Sequence, residues 1–346
     1  MQRQGRRRVT AADVAARAGA SRSAVSLVLN GRADGNVAPV LQDQIRAAVE
    51  ELGYIPQSVG QSLRSRSTRT VGVITDEIVT SPFAGGIISG ADAVAREAGY
   101  MIMVADTAGD DSRIGQMAKV FFARSVDALM LATGGLVSVD PAENFFSAPA
   151  VLANCLDASG RAPAVVADEA GGSRLGVRHL LDLGHRDIAL LSGTEDSPAT
   201  PRRREGFLDA VAGTGAEHRV VPCGWDIDDG YRAASALLDG GAAPTAVLAS
   251  NDRTAVGVLL AAAHRGVDIP GDLSVVGVDD QAHVAAQVVP ALTTVALPHQ
   301  QIGRRAMEIL LEGIPAPSRE PSAGAVPELI ETWLIRRDST GAAPTS

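Results

Sequence analysis

Lysine is all but missing from this 346-residue chain: Lys119 stands alone against thirty arginines. That bias, with abundant Ala and Gly, reads as the codon usage of a GC-rich genome and carries no mechanism. Cysteine is equally scarce. Cys155 and Cys223 lie far apart and fit neither a metal-ligand spacing nor a disulfide framework. Although 46% of the residues are apolar, no uninterrupted apolar run reaches membrane-spanning length. The opening MQRQGRRRV is basic but lacks the apolar stretch of a secretory signal. A soluble cytoplasmic protein with no metal, no cofactor and no membrane partner is expected. Catalytic signatures are absent as well: no G-x-G-x-x-G after the first strand, no Walker sequence and no G-x-S-x-G elbow. The six histidines are scattered, and adjacent carboxylates such as Asp279 and Asp280 diverge at a strand end instead of flanking a bond. No enzyme is expected.

The charge that is present is unevenly placed. The formal net charge is −9, yet residues 1–70 hold eleven Arg against five acidic residues, and the rest holds twenty basic against thirty-five acidic ones. A basic head on an acidic body is the pattern expected when only the head meets phosphates. Within the head, TAADVAARAGASRSAVSLVLNGR (residues 10–32) reads as two short helices joined at a glycine. Thr10 and Asp13 form a capping box. Val14, Ala15 and Ala18 share an apolar face, and Gly19 ends the helix. Ser21 caps a second helix in which Val25, Val28 and Leu29 point inward, leaving Arg22, Ser23, Ser26 and Leu27 outward. This is a helix-turn-helix, whose second helix enters the major groove N-terminus first; an ordinary helical hairpin is the alternative. A third helix starts at Pro39, repeats Leu41, Ile45, Ala48, Val49 and Leu52 on one face, and stops at Gly53.

Residues 56–66, PQSVGQSLRSR, can form a short helix with Val59 and Leu63, four apart, on one stripe. So short a helix does not hold together alone, because nucleation is costly, and Gly60 adds roughly 1 kcal/mol relative to Ala. From Thr70 onward, strand-like runs (TVGVIT, YMIMVAD, ALMLAT, AVLAN, AVVAD, DIALLSG, HRVVPC, AVLASN, SVVGVDD) alternate with amphipathic helical stretches. Repeated βαβ units with near-continuous Val/Ile/Leu strands imply parallel sheets covered on both faces. There are too many strands for one compact sheet, so two doubly wound lobes are expected.

The three-helix head, the Tyr54-Ile55-Pro56 junction, the Val59–Leu63 segment and the α/β core, in this order, resemble the lac-repressor (LacI/GalR) family from Val9 to about Arg337. The resemblance implies an all-α helix-turn-helix head on a periplasmic-binding-protein-like core of two doubly wound parallel-sheet lobes. It implies a DNA-binding domain at 1–55, a hinge at 56–69, a core at 70–337 and a tail at 338–346. Within the core, lobe one would comprise 70–167 and 297–325, and lobe two 168–296 and 326–337, the latter including a final strand ELIETWLIRR. Thr10, Ser21, Arg22, Ser23, Ser26, Leu27 and Asn30 would contact DNA. Val59, Gly60 and Leu63 would join them from a hinge that orders on the operator, Leu63 wedging into the minor groove. Relatives usually have Ala where Gly60 stands, which implies a looser hinge here. A plain Ser-rich linker is the alternative.

Ligands of doubly wound sheets bind at the carboxyl ends of the strands. Those ends carry Ser81, Pro82 and Phe83, then Asn154, Asp168, Asn251 with Asp252, and Asp279 with Asp280; Arg203 and Trp225 lie just beyond two others. Arg, Asn and Asp suit neighbouring hydroxyls, and a Trp face suits the CH surface of a sugar ring. By resemblance, Arg203, Trp225, Asn251 and Asp279 contact the effector, and Ser81, Phe83 and Asn154 complete the set, although relatives often have Asp where Asn154 stands. Asp168, Asp252 and Asp280 read as cap or turn residues. His179 and His185, in HLLDLGHRDIALLSG, read as structural. The expected protein is a homodimeric repressor of double-stranded operator DNA, controlled by a mono- or disaccharide. Alternatives are a purine- or other corepressor-dependent regulator and a transport-type sugar-binding protein; the latter would need a signal peptide and no head.

Overall fold

The computed structural model describes residues 9–54, 67–78, 84–241, 243–314 and 326–344. The hinge expectation at Val59, Gly60 and Leu63, and the expectations at Ser81 and Phe83, fall outside the described residues. The chain forms two compact units, Met1–Thr68 and Arg69–Ser346.

In the first unit, α1 (Ala11–Ala18) begins at the Thr10–Asp13 capping box and ends at Gly19 with φ 61. The left-handed turn there is open to glycine without strain. Helix α2 (Arg22–Leu29) starts under the Ser21 hydroxyl, which accepts from the Ala24 N–H. Helix α3 (Pro39–Leu52) starts with Pro in its first turn, where a missing N–H leaves nothing unpaired. The three helices close over Val14, Val25 and Ile45, each fully buried. Leu27, expected on the outer face, is half-buried against this core.

The second unit contains two six-stranded sheets. The first has the order β11-β5-β4-β3-β1-β2, with β1 Thr70–Thr75, β2 Met101–Asp106, β3 Ala128–Val139, β4 Ala150–Asp157, β5 Ala164–Ala167 and β11 Glu328–Ile330. The second has the order β12-β10-β9-β8-β6-β7, with β6 Asp187–Ser192, β7 Glu217–Pro222, β8 Ala246–Leu248, β9 Ser274–Asp279, β10 Thr293–Ala296 and β12 Trp333–Ile335. Two-residue alternation sorts the first sheet's side chains. Val71 and Val73 face α4 (Gly85–Glu97) and α10 (His299–Gly313), while Ile74 faces α5 (Ile114–Phe122). In the second sheet, Ile188 and Leu190 meet α6 (Glu169–Asp182) and α7 (Ala199–Val211). Ala189 and Leu191 meet α8 (Ile227–Asp239) and α9 (Asp252–Arg265). Helices α8 and α9 approach backbone to backbone at Gly230 and Gly257, where a β-carbon would overlap main-chain atoms of the facing helix. This close packing fixes the loops that precede both helices.

Two sequence expectations need correction. ELIETWLIRR is not one strand of the second lobe: Glu328–Ile330 pairs parallel with β5 in the first sheet, and Trp333–Ile335 pairs antiparallel with β10 in the second. The open edge of β5 takes the first half, and the chain changes sheet at Glu331-Thr332. Nor does the described part of 338–346 hang free. The buried Ser339 hydroxyl donates to the Val275 carbonyl and accepts from the Thr293 N–H at 2.6 and 2.8 Å. Thr340 meets His179 at 2.9 Å, and Gly341 donates to the Ser274 hydroxyl at 3.0 Å. His185 bridges Thr245, Ser274 and the Gly341 carbonyl. Burial pulls both imidazoles below their ordinary pKa, so they act here as neutral hydrogen-bonding posts. No helix among the described residues is long and apolar enough to cross a membrane, and no His/Cys/Asp/Glu group among them could hold a metal.

Candidate functional site

The carboxyl ends of the second sheet bring four loops together around Arg203, which α7 presents from its second turn. Arg203 is buried: Nε donates to Glu169 at 2.7 Å, Nη1 to the Ser250 carbonyl, and Nη2 stands 4.0 Å from Asp279 Oδ1. Burial works against its charge, but Glu169 and Asp279 more than offset that and raise its pKa. Above the guanidinium, at 5.6 Å, lies the Trp225 ring. Trp225 is locked from three sides. Its Nε1 donates to Thr194 at 2.9 Å, its carbonyl accepts from Asn251 Nδ2 at 2.9 Å, and Gly193 lies beneath it where a β-carbon would overlap the indole. Asn251 therefore does two jobs, because its Oδ1 also accepts from Thr254 N at 2.8 Å as the N-cap of α9.

Asp279 and Asp280 close β9 in left-handed backbone, with φ 117 and 56. Such angles are strained for non-glycine residues, and surrounding bonds hold them. Gln281 Nε2 donates to Asp279 at 2.8 Å, and Arg337 to Asp280 at 2.6 Å. Beneath them Asp252 is fully buried, accepting from Gln281 N at 2.7 Å and from the Thr294 hydroxyl at 2.6 Å. It is thus a bracket under the loop and not a cap residue. Desolvation pushes the carboxyls of both Asp252 and Asp279 above the ordinary range, with Arg203 pulling Asp279 back down. Asp168 does cap a helix, accepting from Gly171 N at 2.8 Å.

Across the cleft, Asn154 lies within β4, which runs on to Asp157, and not at the strand's end as expected; it has φ 62 and is buried. Its amide donates to the Thr133 and Gly134 carbonyls at 3.1 and 3.3 Å, so its donors serve the first lobe. The lobes touch where Leu136 and Val166 of the first pack against Ala199 and Trp225 of the second. The Ser197 hydroxyl adds a bond to the Leu136 carbonyl at 3.3 Å. Arg203, Trp225, Asn251 and Asp279 thus fall into one cluster; Asn154 belongs to the opposite wall. Glu169, Gln281, Thr194 and Gly193 were not singled out in the sequence. Glu169 carried one usable signal: a buried Arg needs an acidic partner, and the first turn of the helix after β5 faces that strand end.

In the head, Thr10, Ser21, Arg22 and Ser23 are exposed at the helix starts. Ser26 and Asn30 are half-buried and bonded to one another, Asn30 Nδ2 donating to the Ser26 carbonyl and hydroxyl at 2.6 and 3.1 Å. That leaves the first turn of α2 as the exposed end of the second helix.

A helix-turn-helix head joined to a two-lobed core with a polar cluster at its strand ends defines a ligand-responsive DNA-binding regulator. The profile described as "Bacterial regulatory proteins, lacI family" matches residues 10–57, and that of a periplasmic binding protein-like domain matches 177–340. The chain is 30% identical over 312 residues to the ribose operon repressor of Haemophilus influenzae, covering 89% of this chain and 93% of the relative. It is 30% identical over 333 residues to the HTH-type transcriptional repressor PurR of Vibrio atlanticus, covering 94% and 98%. Its fold matches the lac repressor dimer bound to operator and the anti-inducer ONPF with a TM-score of 0.79 and 26% identity, covering 97% of this chain and 100% of that one. The chain belongs to the LacI family of bacterial regulatory proteins, and it is a DNA-binding transcriptional repressor with an effector-binding core. The family consists of regulators and not enzymes.

Proposed function

We propose that this repressor acts in the cytoplasm as a homodimer on a palindromic operator, and that a mono- or disaccharide held between the lobes controls it. The observation that carries the effector assignment is the Arg203–Asp279 pair beside the Trp225 face at the strand ends. Hydroxyls suit the pair, and an apolar ring face suits the indole. The ribose operon repressor and the lac repressor complex support the same reading by relationship. Each subunit offers one recognition helix, so two-fold pairing matches two half-sites.

The test uses the two tryptophans. In a Trp333→Phe variant, where Trp225 alone reports, sugar should change the fluorescence; a Trp225→Phe variant should stay comparatively quiet. A signal that follows Trp333 instead moves the effector elsewhere and leaves the repressor assignment intact.

A further inference from the structure

In the helix-turn-helix, most polar side chains are already engaged within the head. The Thr10 hydroxyl donates to Asp13 at 2.7 Å, and Asn30 Nδ2 donates to the Ser26 carbonyl and hydroxyl. The Ser21 hydroxyl oxygen is taken by the Ala24 N–H. Leu27 has no polar atom and packs half-buried against the head's core. Of the arginines, Arg17 meets Glu51 at 2.6 Å and Arg46 meets Asp43 at 3.2 Å. Arg22 and Arg32 have no partner among the described residues, and both are exposed. They stand at opposite ends of α2, whose eight residues span roughly 12 Å. A recognition helix meets base edges with its N-terminal residues. Arg22 is the first residue of α2, whereas Arg32 lies past the other end, where its N–H donates to the Leu27 carbonyl. Ser23, beside Arg22, is exposed too, but a short hydroxyl both donates and accepts and so serves any base.

From this accounting we infer that Arg22 is the single strong base reader of α2, so that each operator half-site is specified in the major groove by one dominant guanine. A guanidinium presents five donors in a fixed fork and no acceptor. Guanine is the base with two acceptors, O6 and N7, side by side on its major-groove edge. Adenine sets a donor beside its N7, cytosine shows a donor, and thymine has one acceptor next to a methyl group. No carboxylate has to be displaced from Arg22 first, so the whole fork is open to the base. The inference rests on α2 lying in the major groove of the operator, and it narrows that reading to one residue and one base.

The test is a selection from a randomised duplex DNA library, made with the full-length protein and with its Arg22→Gln and Arg22→Ala variants. Wild type should select one dominant guanine per half-site, and changing it to adenine should weaken binding roughly tenfold to a hundredfold. Glutamine pairs with adenine N6 and N7, so Arg22→Gln should exchange that guanine for adenine and leave the neighbouring preferences as they were. A residue that only supported the fold would not turn one base preference into another. Arg22→Ala should bind the guanine and adenine duplexes within about threefold of each other, with a circular dichroism melt confirming the fold of each variant. A wild-type selection without a dominant guanine overturns the inference. So does an Arg22→Gln selection that keeps the guanine, a uniform loss over all sequences in Arg22→Ala, or an equally strong position beside the guanine that survives Arg22→Ala. Recovery of the half-site singly or as an inverted pair decides the two-fold pairing proposed above, whereas the base exchange alone decides this inference.

Discussion

Arg203 is a buried cation whose partners matter more when broken than when whole. Removing one side of a buried ion pair strands the other charge, at a cost of about 3–5 kcal/mol. Glu169→Ala should therefore lower the melting temperature of the core as well as weaken effector binding. Asp279→Ala, whose carboxylate stands 4.0 Å from the guanidinium, should chiefly affect the effector: at least tenfold weaker binding, from roughly 1.5–3 kcal/mol of lost charged hydrogen bonding. Operator affinity in a gel-shift titration should stay at the wild-type value for Asp279→Ala; a parallel loss there would make the residue structural. Asp252 makes a pH prediction. Its folded-state pKa lies above its unfolded one because burial disfavours the charge. Between the two values the folded protein binds the extra proton, so stability falls as pH rises through that window. Asp252→Asn cannot titrate, and melting curves across the window should be flatter for it than for wild type. Single polar residues at strand ends were readable from the sequence as a set, because the rule for doubly wound sheets places them together. Their bonding was not: nothing in AVLASND tells that Asn251 would hold the Trp225 carbonyl, a contact across 26 residues.

At the scale of elements, local signals carried the head. The capping box at Thr10, the Ser21 cap, Pro39 and Gly53 each act within one helical turn, so short-range sequence suffices to place them. Ser21→Ala should cost the head about 1 kcal/mol through the lost cap, seen as an earlier head transition on melting. Arg22→Ala or Ser23→Ala should alter which sequences are preferred in a binding selection, whereas a uniform loss over all sequences would assign them to phosphates. The C-terminal segment escaped sequence reading for the opposite reason. Polar residues such as Ser339 and Thr340 look like a solvated tail, and only Val275, Thr293 and His179, far away in sequence, turn them into a packed strap. A chain ending at Arg337 should melt lower and exchange the amides of β9 and β10 faster. Unchanged exchange there would mean that the strap contributes nothing.

For the molecule, the split of the last strands between the two sheets means that neither lobe is a continuous piece of chain. Footprinting should show a two-fold site covered by a dimer; protection of a single half-site would contradict the pairing proposed above. The interleaving also reaches into synthesis. The first sheet presents Val71, Val73, Met130, Val151 and Val165 to α10, which comes only at His299–Gly313, after the strands β6 to β10 of the second sheet have been made. At about 5–20 residues per second, the ribosome would hold that half-covered apolar face open for several seconds while the intervening lobe emerges. A nascent chain stalled before His299 should therefore be a strong client for chaperones that bind exposed apolar surface, and one stalled well past Ile335 should not.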